Sequence, residues 1–348
     1  MTKPVYGTQE SDWGEDGLAQ DVAVWEDGQR VETGPGFFEW WYFDAHLDDG
    51  SMVVITFMTK SIMKRKGNLE PGILVAVTRP DGTRISEARF SPPDSFRASK
   101  ERCDVRIGEN HVDGDLHVYR LHAQTETLAA DLTFTGSVPA WRPGAGKARF
   151  GDKAHFFAWL PAIPFGSVNG TLRYDGVAHR VSGSGYHDHN WGNVSLPAVI
   201  DHWYWGRAHI GDFTLIFVEQ ITTGAYGGVR LPVFMLAKGE KILTGDGAPL
   251  TLAKRNWVKH PGGRKYPTEL DFVWKKGDDY VRIALRKPEV VEATTLLNMF
   301  PLWKQKLFRL FANPYYFRFR ADMDLQIDFG EIHTQEHGEA LYELMLLR

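Results

Sequence analysis

An all-β protein built from antiparallel sheets, as sandwiches or barrels, is what this 348-residue chain predicts, and three observations carry the prediction. Short runs rich in Val, Ile, Phe, Tyr and Thr recur along it, Asp-Gly and Gly-rich breaks separate them, and almost nothing between has helical spacing. Asp-Gly suits hairpin turns because those turns need positive φ, which Gly adopts freely and Asp tolerates. The clearest cases are Trp40 to Leu47 and Met52 to Thr59 on either side of Asp49-Gly50. Ile73 to Thr78 before Asp81-Gly82, and Gly170 to Tyr174 before Asp175-Gly176, repeat the pattern.

The length favours two domains. Residues 1–35 are polar and weakly periodic, which predicts a loosely structured lead-in, followed by β domains at 36–180 and 181–348. Pro and Gly breaks crowd around Phe156 to Leu160, with Pro161, Pro164 and Gly166, and the boundary is placed behind them, near residue 180. Strands then resume at Trp203 to His209, Phe213 to Ile221, Val233 to Ala237, Glu269 to Trp274, Tyr280 to Leu285, Tyr316 to Leu325 and Ala340 to Leu347. One segment departs from the pattern. In residues 301–312, Trp303, Leu307, Leu310 and Phe311 fall at helical spacing between Pro301 and the Asn313-Pro314 stop, predicting a short helix in the C-terminal domain. Lys304, Lys306 and Arg309 occupy its other sides, so it either caps a barrel or lies against a membrane surface as a peripheral contact; about three turns favours the cap.

Composition sets further bounds. A formal net charge of −4 provides no basic field for nucleic acid. The single cysteine, Cys103, excludes internal disulfides and multi-cysteine metal sites. No apolar run resembles a signal peptide or membrane span, which predicts a cytoplasmic protein; nothing sets an oligomeric state.

Chemistry concentrates in three aromatic stretches holding five of the 12 Trp. The densest runs from Gly183 to Trp191. If it is extended, His187, His189 and Trp191 face one side and Asp188 and Asn190 the other. The others are Phe38 to Asp44, with Glu39, Trp41 and Tyr42, and Asp201 to Arg207, with Trp203 and Trp205. Tyr, Trp and His are common in half-buried strands, so each alone reads as packing; their density among titratable groups favours a site. His187-x-His189, with His202 or His209, has metal-chelating chemistry but no Glu or Cys at a diagnostic offset, so no metal is expected. No Gly-x-Ser-x-Gly elbow and no dinucleotide fingerprint occurs. Proton chemistry fits better: a carboxyl in an apolar, aromatic setting stays protonated near neutral pH, and ring faces stabilise a cation. Glu219 ends the apolar run Leu215 to Val218 and would have a raised pKa if it faces inward; a solvated strand end is the plain alternative. Glu39 needs a partner if buried, and Arg207 is the candidate.

Taken together, Glu39 to Phe43, Trp159 to Gly170, Gly185 to Gly192 and Trp203 to Arg207 resemble the carotenoid 1,2-hydratase (hydroxyneurosporene synthase) family. That family lies in a lipocalin-like group with kievitone hydratase, the fungal decalin-forming Diels–Alderases and AttH-like proteins. The resemblance implies two tandem lipocalin-like β domains with an apolar pocket, no metal and no redox cofactor. It transfers functional weight to His189 and Trp191, and it matches the family's Tyr-x-Asp pair to Phe217-Val218-Glu219, where Phe stands for Tyr and Glu for Asp. The resulting expectation is a cofactor-independent hydratase or cyclase for a large apolar, isoprenoid-like substrate. Asp188, His189 and Glu219 would share acid and base work, Trp191, Trp203, Trp205 and Tyr42 would line the cation's path, and Glu39, Trp41, His187, Arg207 and Phe217 would complete the walls. The alternatives are a pericyclase folding a polyene and a non-catalytic carrier of hydrophobic ligands.

Overall fold

The computed structural model describes residues 2–7, 10–61, 65–295 and 314–348; the helix expected at 301–312 lies outside them. Antiparallel strands dominate, as the alternation and Asp-Gly turns predicted. The chain divides into two compact units, Tyr6–Ser195 and Leu196–Arg348, with Met1–Val5 counted in the second.

After the short β1 (Thr2–Tyr6), the first unit's strands are β2 (Phe38–Leu47), β3 (Met52–Met58), β4 (Gly72–Thr78), β5 (Arg84–Phe90), β6 (Phe96–Ala98), β7 (Asp104–Ile107), β8 (Asn110–Gly114), β9 (Val118–Gln124), β10 (Ala129–Gly136), β11 (Lys147–Gly151), β12 (Phe156–Tyr174) and β13 (Val177–Gly192). They form a sheet in the order β5-β4-β3-β2-β13-β12-β10-β9-β8-β7-β6, with β11 beside β12. The sheet curls, so that Phe43 of β2 meets Tyr119 of β9 and Phe134 of β10, at ring-centroid distances of 5.8 and 5.2 Å. Its concave face buries Ile55, Val75, Val105, Leu121 and Leu160 in one core.

Two expectations change here. The Pro-rich stretch is a strand: β12 carries Pro161 and Pro164 through register shifts between Pro161 and Ile163 and between Ile163 and Gly166. Proline has no N–H for the ladder, and the irregular pairing absorbs that loss. The chain then turns at Asp175-Gly176, both with positive φ, and β13 pairs back along β12 as far as Phe157↔Gly192. Residue 180 is therefore inside a hairpin, and the division falls at 195/196.

The lead-in is also packed structure. A 3-10 turn, Val24–Asp27, buries both Glu26 and Asp27. Glu26 accepts a hydrogen bond from the Ala23 N–H and pairs at 2.9 Å with Arg142, itself buried. Gly28 lies so close to Lys100 that a Cβ would stand 2.6 Å from its carbonyl oxygen, which only glycine avoids. Lys60, also buried, donates to the carbonyls of Thr33, Gly34 and Gly67. A polar stretch reads as loose when its partners are remote in sequence; here they are.

The second unit comprises a single helical turn (Leu196–Val199) and strands β14 (Ile200–Ile210), β15 (Phe213–Thr222), β16 (Arg230–Lys238), β17 (Lys241–Thr244), β18 (Leu250–Lys259), β19 (Lys265–Lys276), β20 (Asp279–Thr295), β21 (Tyr315–Phe329) and β22 (Ile332–Leu346). Their order is β17-β16-β15-β14-β22-β21-β20-β19-β18. Arg230 of β16 donates to the Leu250 carbonyl of β18, drawing the two ends of the sheet together. Alternate residues, among them Leu215, Phe217, Phe234, Phe272, Phe317 and Phe319, fill its core.

Candidate active site

Strands β2 and β13 pair with Glu39 opposite Trp191, Trp41 opposite His189 and Phe43 opposite His187, so all six share the concave face. The rings stack: Phe43 on His187 at 3.9 Å and Trp41 on His189 at 4.6 Å, with Trp191 also 4.6 Å from His189. Into this aromatic layer the 3-10 turn delivers Asp27, whose backbone carbonyl accepts the Trp41 indole N–H.

Four titratable side chains meet there with 0–1% exposure: Asp27, Glu39, His187 and His189. His189 directs Nε2 at Glu39 Oε1 (2.9 Å) and Nδ1 at Asp27 Oδ1 (3.3 Å), the latter out of line for a hydrogen bond. Both nitrogens thus face carboxylates, the environment of an imidazolium. His187 donates Nδ1–H to the Tyr42 carbonyl, and its Nε2 lies 3.2 Å from Asp27 Oδ2, so a proton belongs between those two atoms. Tyr119 donates its hydroxyl to the same oxygen at 2.6 Å, and the Arg30 backbone N–H donates to Glu39. The electrostatics follow. Burial by itself would push the Asp27 carboxyl up, but the attraction of His187, its hydrogen bond and the close approach of His189 hold it well below the ordinary carboxylate range. Burial pushes His189 down, yet its close contact with Asp27, its hydrogen bond to Glu39 and the charges of both leave it raised. Burial, reinforced by the Asp27 charge, pushes the Tyr119 hydroxyl and Cys103 thiol well up, so both stay protonated.

The convex face of the same strands is different. Asp188 Oδ2 accepts from the Trp159 indole and the Tyr186 hydroxyl, each at 2.8 Å, and Oδ1 accepts from Asn190 at 2.6 Å. Tyr42 stands edge-on to Tyr186 at 6.4 Å and Trp141 edge-on to Trp159 at 6.2 Å, which completes an aromatic surround. Burial raises the Asp188 carboxyl despite these donors. Asp188 also retains 8% exposure, the most of the four carboxylates on or against this strand pair, Asp27, Glu39, Asp44 and Asp188. Alternation along an extended strand had placed His187, His189 and Trp191 opposite Asp188 and Asn190, and the structure shows that separation.

The remaining expected residues belong to the second unit. Glu219 faces inward with Phe217, but it pairs with Arg230 at 2.5 Å and Lys254 at 2.7 Å, so the lone acid expected there is instead a compensated charge. Lys254 also lies 4.8 Å over the ring of Tyr204, the cross-strand neighbour of Glu219. Phe217 is core, packed 4.8 Å from Phe272. Trp203, Trp205 and Arg207 are half-buried on the other face of β14, where Arg207 covers Trp205 at 5.9 Å. Arg207 is not the partner of Glu39; His189 and the Arg30 N–H are. His202 and His209, the possible third metal ligands, contact Asp201 and Thr214 instead.

Sequence reading missed Asp27, Tyr119, Cys103 and Trp159. Asp27, Cys103 and His187 each offer a donor atom within 4.8 Å of the others, among the described residues the one cluster able to hold a metal; Asp27 Oδ2 already takes the Tyr119 and His187 contacts. The available signal for Asp27 was its setting, just behind the apolar run Val22-Ala23-Val24-Trp25 in a mostly polar segment.

Two curled antiparallel sheets, with a closed charge cluster on one side of a strand pair and a shielded carboxyl on the other, define a lipocalin-like all-β protein. The family model for AttH-like proteins matches residues 35–300, and the chain belongs to that family. It is 27% identical over 220 residues to the acyclic carotenoid 1,2-hydratase of Thiocapsa roseopersicina, covering 59% of this chain and 53% of that one. It is 29% identical over 92 residues to a quinolone epoxide rearrangement protein of Penicillium thymicola, covering 26% and 23% respectively. The chain thus spans about half or less of these relatives. The solved structure of CghA superposes with a TM-score of 0.64 at 13% identity, over 99% of this chain and 98% of that one, and shares the fold.

Proposed function

We propose that this chain is an enzyme of the hydratase or cyclase kind that delivers a proton to a large apolar, isoprenoid-like substrate, with Asp188 as the acid. One observation carries this reading: Asp188 is a carboxyl with a raised pKa, boxed by Trp159, Tyr186 and Tyr42, and it has no ion-pair partner among the described residues. In the step, the Asp188 O–H bond breaks as a C–H bond forms at the less substituted alkene carbon. The tertiary cation rests against the Tyr and Trp faces, water adds to it, and the proton lost by that water returns to the carboxylate. The sequence balances without oxidant, reductant or cofactor. One relative's name records hydration of an acyclic carotenoid and the other's an epoxide rearrangement, and acid delivery opens both chemistries. Asp27, Glu39, His187 and His189 act as positioning residues that fix the strand carrying Asp188, and Glu219 supports the packing of its own unit.

The test is turnover of an acyclic carotenoid in D₂O, read by mass spectrometry as one carbon-bound deuterium in the hydrated product. Asp188→Asn is expected to lower the rate at least about a hundredfold, the scale of a lost general acid. Undiminished turnover by that variant refutes the acid role; a cyclised product without carbon-bound deuterium would instead favour a pericyclase, which needs shape and hydrogen bonds alone.

A further inference from the structure

The second unit carries a surface that the proposed reaction does not use. Strands β18 and β19 form a hairpin whose end joins Lys259 to Lys265, and Trp257 and Val258 just before it are 54% and 39% exposed. Asn256, next to them, has a positive φ of 56° while the ladder keeps its register on both sides, Arg255 opposite Glu269 and Trp257 opposite Pro267. From Lys254 to Lys265 the chain has five cations and no acid, within a protein of net charge −4. Lys254 and Arg255 are taken up by Glu219 and Asp271. Lys259 and Lys265 stand directly across the ladder from one another, and neither has an ion-pair partner among the described residues. Like charges in that position destabilise a hairpin.

Lysines also protect an edge strand against pairing with other chains. An exposed indole does not serve that purpose; it adds apolar surface where protection requires less. Trp beside unpaired lysines is the pairing that suits a lipid headgroup layer, where the ring sits at the boundary and the ammonium groups meet phosphate. The same end of the sheet holds Tyr315, which pairs with Thr295 and reaches His260 of the hairpin.

We infer that the β18–β19 hairpin end is a docking surface for a bilayer containing anionic phospholipid, with Trp257 as the apolar anchor and Lys259 and Lys265 as the charge contacts. The inference stands apart from the reaction proposed above, because vesicle binding is read without turnover.

Flotation of the full chain with phosphatidylcholine vesicles, with and without phosphatidylserine, tests it. Binding is expected to require phosphatidylserine and to weaken with added salt. Lys259→Glu combined with Lys265→Glu is expected to reduce partitioning about 25-fold or more, taking roughly fivefold per basic residue. Trp257→Ser is expected to reduce it about tenfold, and the thermal transition of both variants should match that of the parent because the hairpin end is exposed. Absent partitioning, equal partitioning of parent and variants, or a preference for a single-stranded oligonucleotide over the anionic vesicles each overturns the proposal.

Discussion

The two faces of β13 are built from adjacent residues and have opposite characters. On the concave face His187 and His189 are fully buried, charged or proton-sharing, and balanced by Asp27 and Glu39. On the convex face Asp188 is surrounded by neutral donors, and burial raises its carboxyl. A buried charge survives only with a partner, whereas a buried acid without one holds its proton. A period of two along one strand thus separates a rigid charge-paired support from a group able to give up a proton.

Breaking the support should have the largest effect. Glu39→Ala removes one of the two carboxylates facing His189 in a site with no exposure, and an uncompensated charge there costs about 3–5 kcal/mol, to be measured by urea unfolding. Asp188→Asn should invert the pattern, reducing turnover about a hundredfold while shifting the unfolding free energy by only about 1 kcal/mol. Glu219→Gln sharpens the contrast between the units. Its partners Arg230 and Lys254 are 43% and 21% exposed, so water screens what remains; about 1–2 kcal/mol of stability and less than about a threefold change in turnover are expected.

Titration should give the smallest effects and opposite signs. His189 is raised above its ordinary 6.5, so its contribution to stability is complete below about that pH and is lost as pH climbs through the folded value. Asp27 is depressed below its ordinary 3.8, so its contribution is complete above that and lost as pH falls through the folded value. The urea midpoint should therefore peak between roughly pH 4 and 6.5 and decline on both sides. Turnover, which needs protonated Asp188, should fall on the alkaline side of its raised pKa, and a rate that rises there would contradict the assignment.

The strand pattern was legible because its causes are local. Alternation and Asp-Gly turns marked β2, β3 and β4 to within a residue or two, and the same alternation sorted His187 and His189 from Asp188. What escaped depends on residues distant in the chain. Asp27 looked solvated because the histidines that need it lie 160 residues onward. Pro161 and Pro164 looked like breaks because the irregular pairing that carries them is contributed by β13. Glu219 looked like a free acid because Lys254, which offsets it, lies on a different strand.

That 160-residue span also sets an order of events during synthesis. Each doubling of a closing loop adds only about 0.6 kcal/mol of entropy, yet non-local closures of this kind slow folding far more than they weaken the finished state. A ribosome releases Asp27 and Glu39 early and must extrude almost the whole unit before the imidazoles arrive. Until then the nascent sheet keeps an open, hydrated seam, and the last hairpin to emerge is the one that seals it.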